Sequence, residues 1–269
     1  MDNYTKPEVV LASFPRSGNT YLRNVLLDVY DIFSWNNIEK FNQAQEKAEV
    51  LEERHKQRNQ EGTPPERLKE LRHELLFPVV KTHEIPGNIL PLCSPDARII
   101  YLMRDGRDAL VSIAHHRKDI IAPGSDFLIN LEQAILAREG SHFGGWSANV
   151  MEWIPLAHAV IHFEDLVEKP LETMEKLRGI LDLPLPDRKN IPTFESQREG
   201  KSYFGGRARK QISDEEKQEF NQLFFRKGKI GGWKEEMPEQ MHELFWKLHG
   251  KVSEEMGYLY DGSFDRSNW

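Results

Sequence analysis

The sequence predicts an α/β fold, a single domain with a central, mostly parallel sheet that is flanked by helices. Short apolar runs typical of buried strands alternate with segments of helical periodicity, which is the pattern of βαβ units. The chain has 269 residues, of which 39% are hydrophobic, so it is long enough to bury a sizeable core. We find no internal repeat and no linker, and one domain over residues 1–269 is therefore the simplest prediction.

The predicted elements alternate along the chain. Apolar runs predict strands at 9–12, 77–83, 98–103 and 159–163. In the first predicted helix Leu22, Val25, Leu26 and Val29 share one face, and further helices are predicted at 108–116, 127–139, 146–153, about 166–181, 213–223 and 238–256. Residues 39–74 interrupt the alternation with interleaved charges, which favours a solvated helical hairpin. Such an excursion could also form a lid or a partner surface.

Composition excludes several classes of protein. The net charge is −7, from 36 basic and 43 acidic residues, which argues against a dedicated nucleic-acid binder. A single cysteine, Cys93, excludes an intrachain disulfide and fits a reducing compartment. No run of eighteen apolar residues and no apolar N-terminal segment occurs, so neither a transmembrane nor a targeting segment is expected. These features predict a cytoplasmic protein.

The segment between the first strand and the first helix has the composition of an anion-binding turn. The first N–H groups of a helix have no intrahelical acceptor, and the positive end of its dipole points toward the preceding loop. Gly18 allows the backbone to approach a ligand closely, Ser17 and Thr20 add hydroxyl donors, and Arg16 adds a charge. We interpret this segment as a phosphate-type anion site, with an ordinary βα turn as the alternative.

Polar and basic residues follow each of the first three predicted strands. Arg16 and Ser17 follow the first strand, Lys81 and His83 end the second, and Arg104 ends the third. Ligands of open parallel sheets bind beyond the carboxyl ends of the strands. We therefore expect these side chains to meet at one edge of the sheet. A lone histidine such as His83 is more often structural, but its neighbours here favour a catalytic role.

Five segments, in this order along the chain, resemble the motifs of the cytosolic-type, PAPS-dependent sulfotransferases, where PAPS is 3′-phosphoadenylyl sulfate. They are FPRSGNTY at 14–21, KTH at 81–83, RDGRDALVS at 104–112, FEDL at 163–166 and RKGKIGGWK at 226–234. The resemblance implies a P-loop-like nucleotide-binding core and transfer of a sulfuryl group from PAPS to a hydroxyl or amine, with 3′,5′-ADP (PAP) as the product and no metal.

The resemblance also implies roles for individual residues. His83 would be the general base of an in-line displacement, and Lys81 and Arg16 would stabilise the departing phosphate. The residues implied in donor binding are Arg16, Ser17, Gly18, Asn19, Thr20, Tyr21, Arg104, Ser112, Phe163, Phe194, Arg226, Lys227 and Gly228. Core packing is the alternative role for the aromatic residues, for Phe163 above all.

The sequence departs from the family pattern at several positions. Arg16 stands where the family has a lysine, which is thought to alternate between the counterpart of Ser112 and the bridging oxygen of the donor. Gly232 replaces an aspartate, and the dimerisation motif of animal members is not evident, so the oligomeric state is open. Two other functions remain as alternatives, namely a P-loop-type nucleotide kinase and a non-catalytic adenosine-phosphate binder.

The acceptor is not determined by these motifs. We expect a small molecule with a hydroxyl group, such as an aromatic alcohol, a glycan or a lipid. In the family the acceptor is framed by loops between the motifs, which correspond here to 84–95, 118–146 and 198–210, besides the excursion at 39–74. Candidate lining residues in or beside these loops are His115, His116, Phe143, Trp146, Tyr203 and Phe204.

Overall fold

The computed structural model describes residues 5–57, 66–138, 145–200, 203–207, 213–226 and 228–267. Within these residues five strands form one sheet in the order β2-β3-β1-β4-β5, and every neighbouring pair is parallel. The strands are β1 Val9–Ser13, β2 Ser34–Trp35, β3 Val79–Thr82, β4 Arg98–Met103 and β5 Ala159–His162. The predicted α/β class with a parallel sheet is confirmed.

Helices flank this sheet. They are α1 Asn19–Tyr30, α2 Ile38–Gln57, α3 Glu66–Leu75, α4 Pro86–Ile89, α5 Gly106–His116, α6 Phe127–Leu136, α7 Trp146–Trp153, α8 Phe163–Glu168, α9 Pro170–Glu175, α10 Phe194–Arg198, α11 Asp214–Phe224, α12 Trp233–Glu236 and α13 Glu239–Glu255. Single turns of 3-10 or π type occur at Leu90–Leu92, Arg117–Ile121, Ile154–Leu156 and Tyr203–Arg207.

The strands are buried on both faces, and alternate side chains enter two separate hydrophobic clusters. Val10 and Ala12 of β1 pack with α5, α6, α7 and α13, whereas Val9 and Leu11 pack with α1 and the segment after β5. This two-sided burial explains why the strand sequences are continuous apolar runs rather than alternating ones. It also leaves the carboxyl ends of the strands as the place where polar groups can collect.

Capping residues determine where several helices begin and end. Ser213 and Glu216 form the predicted capping box of α11, with the Ser213 Oγ accepting from the Glu216 N–H at 3.2 Å. The side chain of Asp105 caps α5 by accepting from the Arg107 N–H at 2.9 Å. Gly257, with φ of +84°, follows the last helix, as predicted for a helix C-terminus.

The structure differs from the predicted elements in several places. Strand β2 was not predicted, because two residues that pair with Val79 and Val80 are too short to show any periodicity. A continuous helix over about 166–181 is also wrong. Residue 163 begins α8 instead of ending the fourth strand, and α8 and α9 are separated at Lys169, where Pro170 has no N–H to continue the helix.

The charged excursion is helical, as predicted, in its described parts, while residues 58–65 lie outside them. Helices α2 and α3 are joined by an ion pair of 2.8 Å between Arg72 and Glu52. They are not solvated throughout, because Phe41, Leu68 and Leu71 are buried. No helix of the described residues is long and apolar enough to cross a membrane.

Candidate functional site

A cavity of about 570 Å³, within the size range of small-molecule sites, is lined by residues from the ends of β3, β1 and β4, which are neighbours in the sheet. Lys227 lies outside the described residues, and Ser17, a buried residue of the turn between β1 and α1, is not among the lining residues. All the other predicted site residues line the cavity, namely Arg16, Gly18, Asn19, Thr20, Tyr21, Lys81, His83, Arg104, Ser112, Phe163, Phe194, Arg226 and Gly228.

The backbone of the turn between β1 and α1 lies close to the cavity. Gly18 has φ of +94°, in the left-handed region, and a Cβ at this position would lie 2.3 Å from Cδ2 of Phe163. Glycine is therefore required both by the backbone conformation and by the neighbouring ring. Arg16 also has a positive φ, +66°. Conformations of this kind cost a residue with a side chain about 1–2 kcal/mol and concentrate at functional sites.

Three buried polar atoms around the turn have no hydrogen-bond partner within the described part of the chain. They are Oγ of Ser17, Oδ1 of Asn19 and Nε of Arg104. A buried polar atom without a partner costs about 1–3 kcal/mol. Ser17 and Arg104 contribute donors. The first N–H groups of α1, which have no intrahelical acceptors, belong to the same turn. This group of donors fits a bound anion such as a phosphate group.

Arg16 lies at the centre of the positive charge. Its Nε donates to Oγ of Ser112 at 3.0 Å, and its Nη2 donates to the carbonyl oxygen of Phe224 at 2.6 Å. The guanidinium also lies 4.4 Å from the centre of the Phe224 ring. Burial, together with the charges of Arg104 and Arg226, lowers the pKa of Arg16 to about 9. Cations held this close together are stabilised by an anion bound among them.

His83 and Lys81 lie at the end of β3. Nδ1 of His83 is 2.8 Å from the carbonyl oxygen of Ser13 and 3.2 Å from its Oγ. Because a carbonyl oxygen can only accept, the short contact assigns the proton of the neutral ring to Nδ1 and the lone pair to Nε2. Nε2 is therefore the nitrogen that can act as a base. Burial and the charge of Arg23 lower the pKa of Lys81 to about 8.

Arg104 connects the end of β4 with the neighbouring turn and loop. Its Nη1 donates to the carbonyl oxygen of Arg16 at 3.0 Å, and its Nη2 donates to that of Lys229 at 3.1 Å. The guanidinium lies 4.5 Å from the centre of the Phe163 ring. Phe163 is only 2% exposed, so its ring packs between Gly18 and Arg104. A contact of Phe163 with adenine stays a prediction.

Arg226 is paired with a carboxylate that the motif did not reveal. Its two terminal nitrogens donate to the carboxylate oxygens of Glu236 at 2.7 and 3.0 Å. The same carboxylate lies 2.7 Å from Nε2 of His115. Glu236 follows the quoted motif and lies in the short helix α12, so no sequence signal pointed to this pairing. The predicted contact of Arg226 with a phosphate would bring that anion beside the carboxylate of Glu236, with which it would compete for this guanidinium.

Aromatic rings form another part of the cavity lining. The ring centres of Tyr21 and Phe194 are 6.2 Å apart, and the Tyr21 hydroxyl donates to the carbonyl oxygen of Pro192 at 3.2 Å. Phe194 also covers Gly228, where a Cβ would lie 2.2 Å from its Cζ. Flat apolar faces suit a nucleotide base. The predicted role of Tyr21 and Phe194 in holding adenine fits this position and stays a prediction.

Arg23 is a cation at the cavity that the sequence did not predict. Arg23 of α1 is 5% exposed and bonds to β2 and the residue after it, with contacts of 2.8 Å to both the Oγ and the carbonyl oxygen of Ser34 and of 2.7 Å to Oδ1 of Asn36. Its guanidinium lies 3.7 Å from the centre of the Phe204 ring. Because β2 was not predicted, nothing in the sequence indicated that Arg23 would line the cavity.

The suggested acceptor residues are only partly supported. Within the described part of the chain, His116 and Phe204 are the members of that set that line the cavity. Trp146 is wrong, because it is fully buried and its indole fills the space left by Gly106 at the start of α5. Phe143 lies outside the described residues. Among the described residues, no group of three or more His, Cys, Asp and Glu side chains could hold a metal ion.

Comparisons with known proteins bear on the fold and the family. Flavonol 3-sulfotransferase from Flaveria bidentis is 24% identical over 280 residues, which cover 93% of this chain and 82% of that protein. A crystal structure of mouse sulfotransferase SULT7A1 complexed with PAP aligns with a TM-score of 0.62 at 18% identity, over 93% of this chain and 84% of that one. Retinol dehydratase in complex with androsterone and PAP aligns with a TM-score of 0.56 at 20% identity, over 97% and 83%.

These two structural similarities, at low identity, establish a shared fold. The sequence itself decides the family, since the family model described as the sulfotransferase domain matches residues 6–257. That match spans all five motifs and every residue to which the resemblance assigned a role. This chain belongs to the sulfotransferase domain family.

Proposed function

We propose that this protein transfers a sulfuryl group from PAPS to a hydroxyl or amine group of a small-molecule acceptor. One observation carries the proposal. Three neighbouring strand ends bring Arg16, Lys81 and His83 around one cavity, beside buried donors of Ser17 and Arg104 that have no acceptor in the described residues. Cations and unpartnered donors suit a polyanionic nucleotide, and a histidine beside them suits a base acting on an acceptor proton.

The donor requires two anion sites. The turn at 16–20, with the N-terminus of α1, would hold the 5′-phosphosulfate. Arg104 and Ser112 would hold the 3′-phosphate, together with Arg226, Lys227 and the Gly228 backbone in the loop before α12. The free Nε of Arg104 supports this assignment, because it is a buried donor without a partner in the described residues. When bound, the donor supplies a sulfuryl group on a phosphate leaving group.

The residues around the reacting centre would have two roles, proton transfer and the stabilisation of negative charge. His83 would accept the acceptor proton at Nε2, and the Ser13 carbonyl oxygen would hold the ring in place through Nδ1–H and stabilise its protonated form. Lys81 and Arg16 would stabilise the negative charge that develops on the leaving phosphate. Arg16 already bonds to Ser112, which is the contact attributed to the lysine of the family at this position.

Family membership favours this interpretation over a P-loop kinase, whose loop also requires a Gly-x-x-x-x-Gly-Lys pattern that residues 14–21 do not have. The relatives support a small acceptor, since one is named for a flavonol and another was crystallised with androsterone. The cytoplasmic location and the single domain over 1–269 stay predictions.

Ligand-induced stabilisation and labelled transfer test the proposal together. PAP without metal should raise the melting temperature, whereas ATP with magnesium should not. The wild type should transfer label from PAPS to members of a panel of hydroxylated compounds. His83→Ala should keep the PAP-induced shift and lose about 10²–10⁴-fold in kcat.

His158→Ala, an exposed histidine before β5 and therefore at the opposite edge of the sheet, is the matched control and should change neither quantity. Stabilisation by ATP with magnesium but not by PAP would favour the kinase instead. Binding of PAP without any transfer would favour the non-catalytic binder, and full activity of His83→Ala would overturn the assignment of the base.

A further inference from the structure

The strand order arranges the charged groups of the cavity along one edge of the sheet. Asn36 follows β2, Lys81 and His83 end β3, Arg16 follows β1, and Arg104 follows β4. On one side of His83 lie the ends of β1 and β4, where the proposed contacts with the 5′-phosphosulfate and the 3′-phosphate are, and on the other side lies the β2 end. In an in-line displacement the acceptor and the leaving group lie on opposite sides of sulfur. The acceptor, on the proposed function, therefore enters from the β2 end.

The β2 end holds a buried guanidinium that has no counter-ion among the described residues. Arg23 bonds to the neutral oxygens of Ser34 and Asn36, and it forms no ion pair with any Asp or Glu of the described residues. A guanidinium has five N–H donors, and these three contacts leave donors for a further partner. The ring of Phe204, 3.7 Å from the guanidinium, supports its flat face.

The positive charge of Arg23 affects other groups of the cavity. Burial lowers the pKa of Arg23 to about 9, and the positive charge of Arg23 adds to burial in lowering the pKa of Lys81. A buried charge without an opposite charge is strongly unfavourable. A ligand that supplies the opposite charge removes this cost, which adds to its binding free energy. On the proposed function, the anionic groups of the donor bind at the ends of β1 and β4, so none of them pairs with Arg23.

We propose that the acceptor carries a carboxylate, which pairs with Arg23 while the acceptor hydroxyl faces His83. The planar guanidinium presents its donors in a fork that matches the two oxygens of a carboxylate. This inference rests on the proposed function and narrows the acceptor to a hydroxy acid. Arg23 is then a specificity-determining residue that lies on the opposite side of His83 from the nucleotide.

Pairs of acceptors that differ only in charge test the proposal. Each pair consists of a hydroxy acid and its amide, for example 4-hydroxyphenylacetate and 4-hydroxyphenylacetamide, and the experiment uses three such pairs. Calorimetry on the PAP-loaded protein measures binding, and label from PAPS measures kcat/KM. In at least one pair the acid should exceed the amide by about tenfold or more in both quantities. Arg23→Met should remove this preference, and Arg188→Met, an exposed arginine between α9 and α10, should keep it.

Arg23 also connects α1 to β2, so Arg23→Met could fail to fold; PAP-induced stabilisation of the variant reports whether the nucleotide site is intact. The comparison of acid and amide in the wild type decides the matter without any variant. Equal or better binding and transfer of the amides, no binding of any acid, or an undiminished acid preference in folded Arg23→Met would each overturn the proposal. Failure of PAP to stabilise the wild type would instead contradict the proposed function itself.

Discussion

Replacing Gly18 with alanine should destabilise the protein for two reasons that can be separated. The φ of +94° costs a residue with a side chain about 1–2 kcal/mol. The new Cβ would also lie 2.3 Å from Cδ2 and 2.6 Å from Cε2 of Phe163, a ring that is 2% exposed and has no open space to enter. Overpacking of this kind costs about 1–3 kcal/mol. The free energy of unfolding should therefore fall by about 2–5 kcal/mol in total.

Urea unfolding of matched glycine variants measures the two contributions. Gly124 has φ of +85° and no atom within 4 Å of an added Cβ, so Gly124→Ala should show only the backbone cost of about 1–2 kcal/mol. Gly87 has neither a positive φ nor a close neighbour, so Gly87→Ala should change stability by less than about 1 kcal/mol. Adding Phe163→Leu to Gly18→Ala should recover part of the contribution from overpacking.

The same substitution should weaken PAP binding, because the added methyl group displaces the turn that would hold the 5′-phosphate. Calorimetry should show a larger loss of PAP affinity for Gly18→Ala than for Gly124→Ala or Gly87→Ala. The reasoning would be refuted if Gly18→Ala were no less stable than Gly124→Ala. The contact with Phe163 would then not restrict the turn, and glycine would be required only for its backbone conformation.

Two further predictions concern pH. Because burial and the charge of Arg23 lower the pKa of Lys81 to about 8, PAP affinity should fall above that pH, approaching tenfold per pH unit, as the free protein loses this positive charge. Calorimetry between about pH 7 and 9 should show a steeper fall in the wild type than in Lys81→Arg, because a guanidinium keeps its proton to a higher pH than an ammonium group. The same profile in both proteins would contradict the assignment to Lys81. Burial raises the pKa of Glu164 from 4.5 to about 7, so the folded protein holds a proton that the unfolded chain releases between these values. Unfolding free energy should therefore decrease by at most about 3 kcal/mol as the pH rises through this interval, and urea unfolding should show a weaker decrease in Glu164→Gln.

The sequence predicted the parts of the site that depend on a strand end. Arg16, Lys81 and Arg104 each follow or end an apolar run, and parallel strands carry their carboxyl ends to one edge, so their meeting in one cavity followed from the fold class. The same logic explains why His83 lies among them. Their positions required no knowledge of side-chain contacts.

The unpredicted parts depend on pairing between distant segments. Arg23 lines the cavity because the two-residue strand β2 brings Ser34 and Asn36 beside α1, and so short a strand has no periodicity. Glu236 meets Arg226 through a short helix that only tertiary packing defines. Trp146 was misassigned for the opposite reason, since an aromatic residue near a loop can equally well fill the core.

The carboxylate of Glu236 bears on how the spent nucleotide departs. If Arg226 holds the 3′-phosphate as proposed and releases Glu236 to do so, binding replaces one charge-assisted pair, to Glu236 at 2.7 and 3.0 Å, by another of similar strength. Such an exchange gives recognition with little net gain in affinity, so PAP would leave more readily than its charge suggests. Departure of product limits the turnover of many enzymes. The carboxylate next to the anion site would weaken product binding and would thus shorten the residence time of the product.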